Sequence, residues 1–126
     1  MENNKVRYYI NILGVSFLFL AFGIWEIIDP DYWLGFVPSH TFGLDINMLV
    51  RVHGLILTVI GVLILSGYLA KWAALVGTLV IGHIVAILWI SSGFTDLVIR
   101  DISLMILTFA LFFEDHQNNA LLLKRK

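Results

Sequence analysis

The chain contains no cysteine, which removes disulfides, iron–sulfur clusters and thiol chemistry, and with them any clue to redox compartment. Proline is almost missing. The two that occur, Pro30 and Pro38, fall in one segment, so the rest of the chain is free of the strongest helix breaker. Charge is scarce as well: 13% of the 126 residues are charged while 60% are hydrophobic. That charge is about half the share usual in soluble domains, and a water-soluble domain of this length cannot bury so much apolar surface. The basic residues are few and scattered, which argues against nucleic-acid binding.

What remains is apolar and long. Four stretches, residues 8–28, 48–69, 72–90 and 95–113, approach the roughly 20 residues needed to cross a bilayer core. The expectation is a single all-α domain over residues 1–126, an integral membrane antiparallel four-helix bundle whose first partner is the lipid bilayer. Asp29-Pro30 stops the first helix, and Asp96 is placed to cap the fourth. The short Ala70-Lys71 turn makes the second and third helices antiparallel neighbours. Segment 29–47 is the only long connection. Its Tyr32, Trp33, Leu34, Phe36, Val37 and Phe42 are too apolar for a solvated loop, so it is expected at the outer membrane interface, capping the bundle mouth. Residues 114–126 form a polar tail, either a surface helix or a frayed end.

With four crossings, both termini and the Ala70-Lys71 turn share one side. Lys5, Arg7, Lys71, Lys124, Arg125 and Lys126 are all there, six of the eight basic residues. The positive-inside rule then places both termini in the cytoplasm of a multi-pass cell-membrane protein. The Gly-Ile-Trp-Glu after Phe22 offers no signal-peptidase site, so the first helix is expected to stay as an anchor.

Charge inside an apolar run is costly and seldom left without a partner. Here Glu26, Arg51, His53, His83, Arg100 and Asp101 all fall at the same, outward end of the four helices. His53 and His83 enter from that side to similar depth on neighbouring helices. Arg100 and Asp101 are adjacent and so about 100° apart, which predicts partners on different helices. His40 and His116 lie in the loop and tail, where solvation accounts for them. Two stripes of small residues, Gly54, Thr58 and Gly61 beyond Arg51, and Ala74, Thr78, Gly82 and Ala86, provide surfaces for close helix packing. His53 sits on the flank of the first stripe and is expected to face a different helix from Arg51.

These residues carry a resemblance. His53-Gly54 followed by Gly61 and Gly67 (HGLILTVIGVLILSG), Arg100-Asp101 in IRDISLMILTFAL, the Gly14, Phe17 and Gly23 pattern and the following Pro30 resemble the DoxX-like family of small four-helix membrane proteins. The likeness spans most of residues 8–113. The chain departs from the family at Glu26, where a lysine is common, and near Thr58, where an acidic residue is frequent. Membership would imply membrane redox chemistry, since the family includes the membrane subunit of thiosulfate:quinone oxidoreductase and proteins linked to quinone detoxification. His53, Gly54, Gly61, Arg100 and Asp101 are the positions that match.

Three kinds of function follow. The first is an outward polar pocket of Glu26, Arg51, His53, His83, Arg100 and Asp101 that binds a quinone or similar amphipathic molecule. There Arg100 or His53 would hold a carbonyl, with Asp101 or Glu26 as proton partner. The second is a b-type haem between His53 and His83, with Gly54 and Gly82 making room, or a metal ion on the same histidines with Glu26 or Asp101; no spacing matches a known metal motif. The third is a non-catalytic accessory subunit, or a homo-oligomer, docking through the small-residue faces. Against all three stands a purely structural use of the charges, as pairs that fix helix order. Whether the chain catalyses a reaction is open at the level of residues.

Overall fold

The computed structural model describes residues 2–37 and 42–123, with side chains from residue 3 and up to residue 114. His40 and residues 124–126 lie outside the described residues, as does the His116 side chain. The chain is helical throughout: α1 (Glu2–Ile28), a 3-10 helix η1 (Pro30–Phe36), α2 (Ile46–Ser66), α3 (Ala70–Ser92) and α4 (Asp96–Leu123), with no strand among the described residues. Among the described residues, three helices are long and apolar enough to cross a membrane, at Asn3–Ile28, Ile46–Ser66 and Ala70–Ser92. The fourth helix carries Asp96, Arg100 and Asp101 in its first two turns, and Glu114 begins a polar stretch. That stretch continues the helix as far as Leu123, so the tail expected after residue 113 is mostly helical in backbone. The polar N-terminal lead is likewise the first turns of α1.

The ends follow local chemistry. Asp45 caps α2, its carboxylate accepting from the Asn47 amide at 3.2 Å. Gly67 ends α2 with φ of 70°, and Leu69 shares this left-handed conformation at 58°. The α2–α3 turn is therefore Gly67, Tyr68 and Leu69, and Ala70 already belongs to α3. Asp96 is the first residue of α4 rather than its cap, since the Ile99 amide closes the first turn on the Thr95 carbonyl.

α1 packs most closely on α2, and α3 on α4; the two pairs meet over smaller seams. A common core runs between them, with Phe19 at its centre and Ile12, Leu57, Ile60, Ile64, Ala74, Ile81, Leu104 and Leu111 around it. The α1–α2 contact is set by glycine. A Cβ on Gly23 would lie 2.7 Å from the Gly54 carbonyl oxygen, and one on Gly54 would lie 2.6 Å from that of Gly23. Gly61 makes the same allowance for Leu20, and Gly77 on α3 for Phe19. Of the second stripe, Ala74 is fully buried and Gly82 lies against Met105 of α4, while Ala86 is exposed.

The exterior is apolar. Ile10, Leu13, Phe17, Leu55, Val59, Val62, Leu79, Ile90, Ile106 and Leu107 all face outward. At the end carrying the N-terminus, Glu114 of α4 accepts from Arg7 Nε at 3.0 Å and Asn11 Nδ2 at 2.7 Å, both on α1. Arg7 is largely exposed, so Glu114→Ala is expected to cost only about 1 kcal/mol. Thermal unfolding in detergent would measure it; a loss as large as that from opening the glycine crossing would refute this ranking.

Candidate functional site

Because α1–α2 and α3–α4 are each tight and the seams between them are slighter, the molecule leaves space where the pairs diverge. A cavity of about 440 Å³ lies there. α1 contributes Leu18, Phe19, Phe22 and Glu26, α2 contributes Val50, His53 and Leu57, α3 contributes Ile81, His83 and Ile84, and α4 contributes Leu97, Arg100, Asp101 and Leu104. Trp33, Phe36, Val37, Phe42 and Leu44 of the long connection complete the wall. Its anchor is aromatic: Trp33 meets Phe22, Trp25, Tyr32 and Phe36 at centroid distances of 5.9, 5.4, 5.2 and 6.1 Å.

Five of the six predicted site residues line this one cavity. The sixth, Arg51, does not. It is exposed and lines an open cleft on the other side of α2 with Asp29, Asp31, Asp45 and Asn47. The reason is helical phase. With Gly54 pressed on α1, His53 lies about 100° to one flank and Arg51 about 60° to the other. His53 turns toward the cavity, and Arg51 away from it. The two residues thus face opposite ways, one on each side of the same α1 contact.

Within the cavity four of the five ionisable groups, all but His83, form two pairs. Glu26 is buried, 7% exposed, and its Oε2 lies 2.5 Å from His53 Nδ1. This pair spans α1 and α2, and it can form because the glycine crossing brings the two backbones close enough for flanking side chains to meet. The other ring nitrogen, His53 Nε2, is buried without a hydrogen-bond partner among the described residues. So is the indole Nε1 of Trp33, on the same wall.

The second pair overturns a prediction. Arg100 and Asp101 bind each other, with Arg100 Nε and one terminal nitrogen both 2.8 Å from Asp101 Oδ1. Their Cα–Cβ directions diverge, but the long arginine stem wraps sideways and brings the guanidinium back. The cation also stacks on Phe22 of α1, 4.4 Å from the ring centroid. Asp101 is 6% exposed, whereas the Arg100 side chain is 38% exposed.

No family model, curated protein or solved structure matches this chain.

The site thus rests on its own geometry. Among the described residues no three His, Cys, Asp or Glu side chains converge to hold a metal ion, so the set of His53, His83 and Glu26 or Asp101 is not assembled. The haem reading needed Gly54 and Gly82 to open a slot between α2 and α3. Gly54 is instead filled by Gly23 and Glu26 of α1, and Gly82 faces Met105 of α4, so the residues do not fit a porphyrin there. Two parts of the site escaped sequence reasoning. Phe22 as the platform for Arg100 could have been seen, since Phe22 and Glu26 are one helical turn apart and so share a face. The unpartnered Trp33 nitrogen carried no sequence signal.

Proposed function

We propose that the chain is an integral membrane four-helix bundle, with both termini cytoplasmic, that binds a quinone or similar small amphipathic molecule in the cavity between its two helix pairs. The observation that carries this reading is one cavity with predominantly apolar walls, holding the Glu26–His53 hydrogen bond, the Arg100–Asp101 ion pair and a buried histidine nitrogen with no partner among the described residues. Ligand sites have this make-up: apolar lining, a few fixed polar groups and a volume of roughly 300–1,000 Å³. An apolar ring and tail suit the walls, and a polar head suits His53. Arg100 is occupied by Asp101 and Phe22, so His53 is the better head-group contact and Glu26 its proton partner.

Four crossings are supported by the exterior of α4, where Ile99, Ile106, Leu107, Phe109 and Phe113 are exposed, and by the internal pairing of its Arg100 and Asp101. The placement of a redox-type ligand agrees with the resemblance to DoxX-like proteins, which rests in part on His53, Arg100 and Asp101.

The test uses protein purified in mild detergent. Organic extraction would look for bound quinone, and added decylubiquinone would be followed by tryptophan fluorescence, since Trp33 lines the cavity. Saturable quenching is expected, with His53→Phe weakening binding at least about tenfold, or 1.4 kcal/mol. No saturable quenching and an empty extract would refute the ligand reading. A partner protein co-purifying in fixed proportion would then favour an accessory subunit.

A further inference from the structure

The Glu26–His53 pair has two states that differ by one proton and present opposite faces to the cavity. Glu26, once ionised, only accepts hydrogen bonds, so the ring nitrogen 2.5 Å away must carry a hydrogen to bond with it. His53 Nδ1–H then points at Glu26, and everything left to the ligand is Nε2. With the imidazole charged, Nε2–H is a donor. With the imidazole neutral, Nε2 is a bare acceptor. That atom is buried and has no partner among the described residues, so a head group bound there must complement whichever state is present.

We infer that the Glu26–His53 pair selects between the oxidised and reduced forms of its ligand by protonation: a quinone carbonyl, which only accepts, needs Nε2–H, whereas a quinol hydroxyl can equally donate to bare Nε2. This rests on the reading of the cavity as a quinone site. The proton balance is simple. When free protein is deprotonated at the pair, binding a quinone takes up one proton from solvent onto His53. A quinol binds either state, accepting from Nε2–H or donating to bare Nε2, and so exchanges no proton. No electron moves in either step, and the ligand keeps its own hydrogens.

The surroundings leave this pair as the variable element. From α4, Arg100 and Asp101 line the same cavity but neutralise one another at 2.8 Å. From α3 the only titratable side chain on the wall is His83, which is exposed. The 3-10 helix contributes Trp33 and Phe36, while its Asp31 lines the other cleft with Arg51. From α1 and α2 there are only Glu26 and His53 themselves. Among the described residues His83 is thus the one competing titratable group on the wall, and the experiment must separate it from His53.

The measurement is the dissociation constant of decylubiquinone, and separately of decylubiquinol under argon, across about pH 5.5 to 8, the range in which histidine changes charge. The expected result is a slope for one form only. Quinone binding weakens as pH rises, approaching about tenfold per pH unit, the limit for one linked proton, while quinol binding stays nearly flat. His53→Gln, whose amide donates and accepts without titrating, should bind both forms with flat profiles. His83→Gln should keep the quinone slope. A flat quinone profile, or equal slopes for the two forms, in the native protein would overturn the inference while leaving the cavity as a quinone site. A quinone slope lost in His83→Gln but kept in His53→Gln would overturn it in favour of His83. Failure of both probes to bind at any pH would remove the quinone reading and the inference together, and failure of one alone would overturn the inference.

Discussion

Gly54→Val is expected to unfold the α1–α2 contact and abolish ligand binding in the same step. A Cβ at this position would meet the Gly23 carbonyl oxygen at 2.6 Å and Glu26 Cβ at 2.7 Å. The first neighbour is backbone, so no rotamer change relieves the clash and the helices must separate. Overpacking of ordinary cores costs about 1–3 kcal/mol, and a backbone-limited site lies at or beyond the top of that range. A fall of roughly 10 °C in the unfolding midpoint in detergent is expected. Because Glu26 meets His53 across this crossing, their hydrogen bond goes with it. Gly14→Ala is the matched control. Nothing lies within 4 Å of a Cβ there, and in mid-helix alanine gains up to about 1 kcal/mol over glycine. Equal behaviour of the two variants would remove the glycine crossing as the determinant of the fold.

The second large effect concerns Arg100 and Asp101. Arg100→Leu leaves a carboxylate on a residue that is 6% exposed, and Asp101→Leu leaves a guanidinium that cannot lose its charge. Breaking a fully buried pair costs about 3–5 kcal/mol, but Arg100 is partly exposed, so about 2–3 kcal/mol is expected for either single change. The double variant, Arg100→Leu with Asp101→Leu, should return to within about 1 kcal/mol of the native protein, because no unpaired charge remains. Unfolding midpoints of the four proteins form the cycle that measures this coupling. A double variant as unstable as the sum of the singles would mean that each residue has a separate indispensable partner, as their angular separation first suggests.

Much of this was legible in the chain. Glu26, His53, His83, Arg100 and Asp101 announce themselves because ionisable groups in apolar runs need a reason, and connectivity alone brings them to one end. Gly54, Thr58 and Gly61 announce a close helix approach, and Gly23 with Leu20 meets them as that stripe requires. What was not legible depends on reach and phase. A spacing of 100° per residue describes where Cβ points but not where a guanidinium ends, and so Arg100 was separated from Asp101 on paper. That His53 and not Arg51 turns into the cavity could be seen only once the angle of α1 over Gly54 was known. The pairing of α1 with α4 through Arg7, Asn11 and Glu114 has no periodic signature at all.

The Arg100–Asp101 pair has a further consequence for how such a chain is made. Both members belong to one helix, so their mutual neutralisation needs no other part of the protein. In a chain that enters a bilayer segment by segment, α4 can arrive with this charge already cancelled, at a lower insertion cost than two separate ions would impose. Glu26 and His53 have no such independence. They lie on α1 and α2 and can satisfy each other only after those two helices have met as a hairpin. If the chain enters a bilayer as proposed, the order of synthesis supplies that hairpin first, so that one pair would be made by assembly and the other brought to it complete.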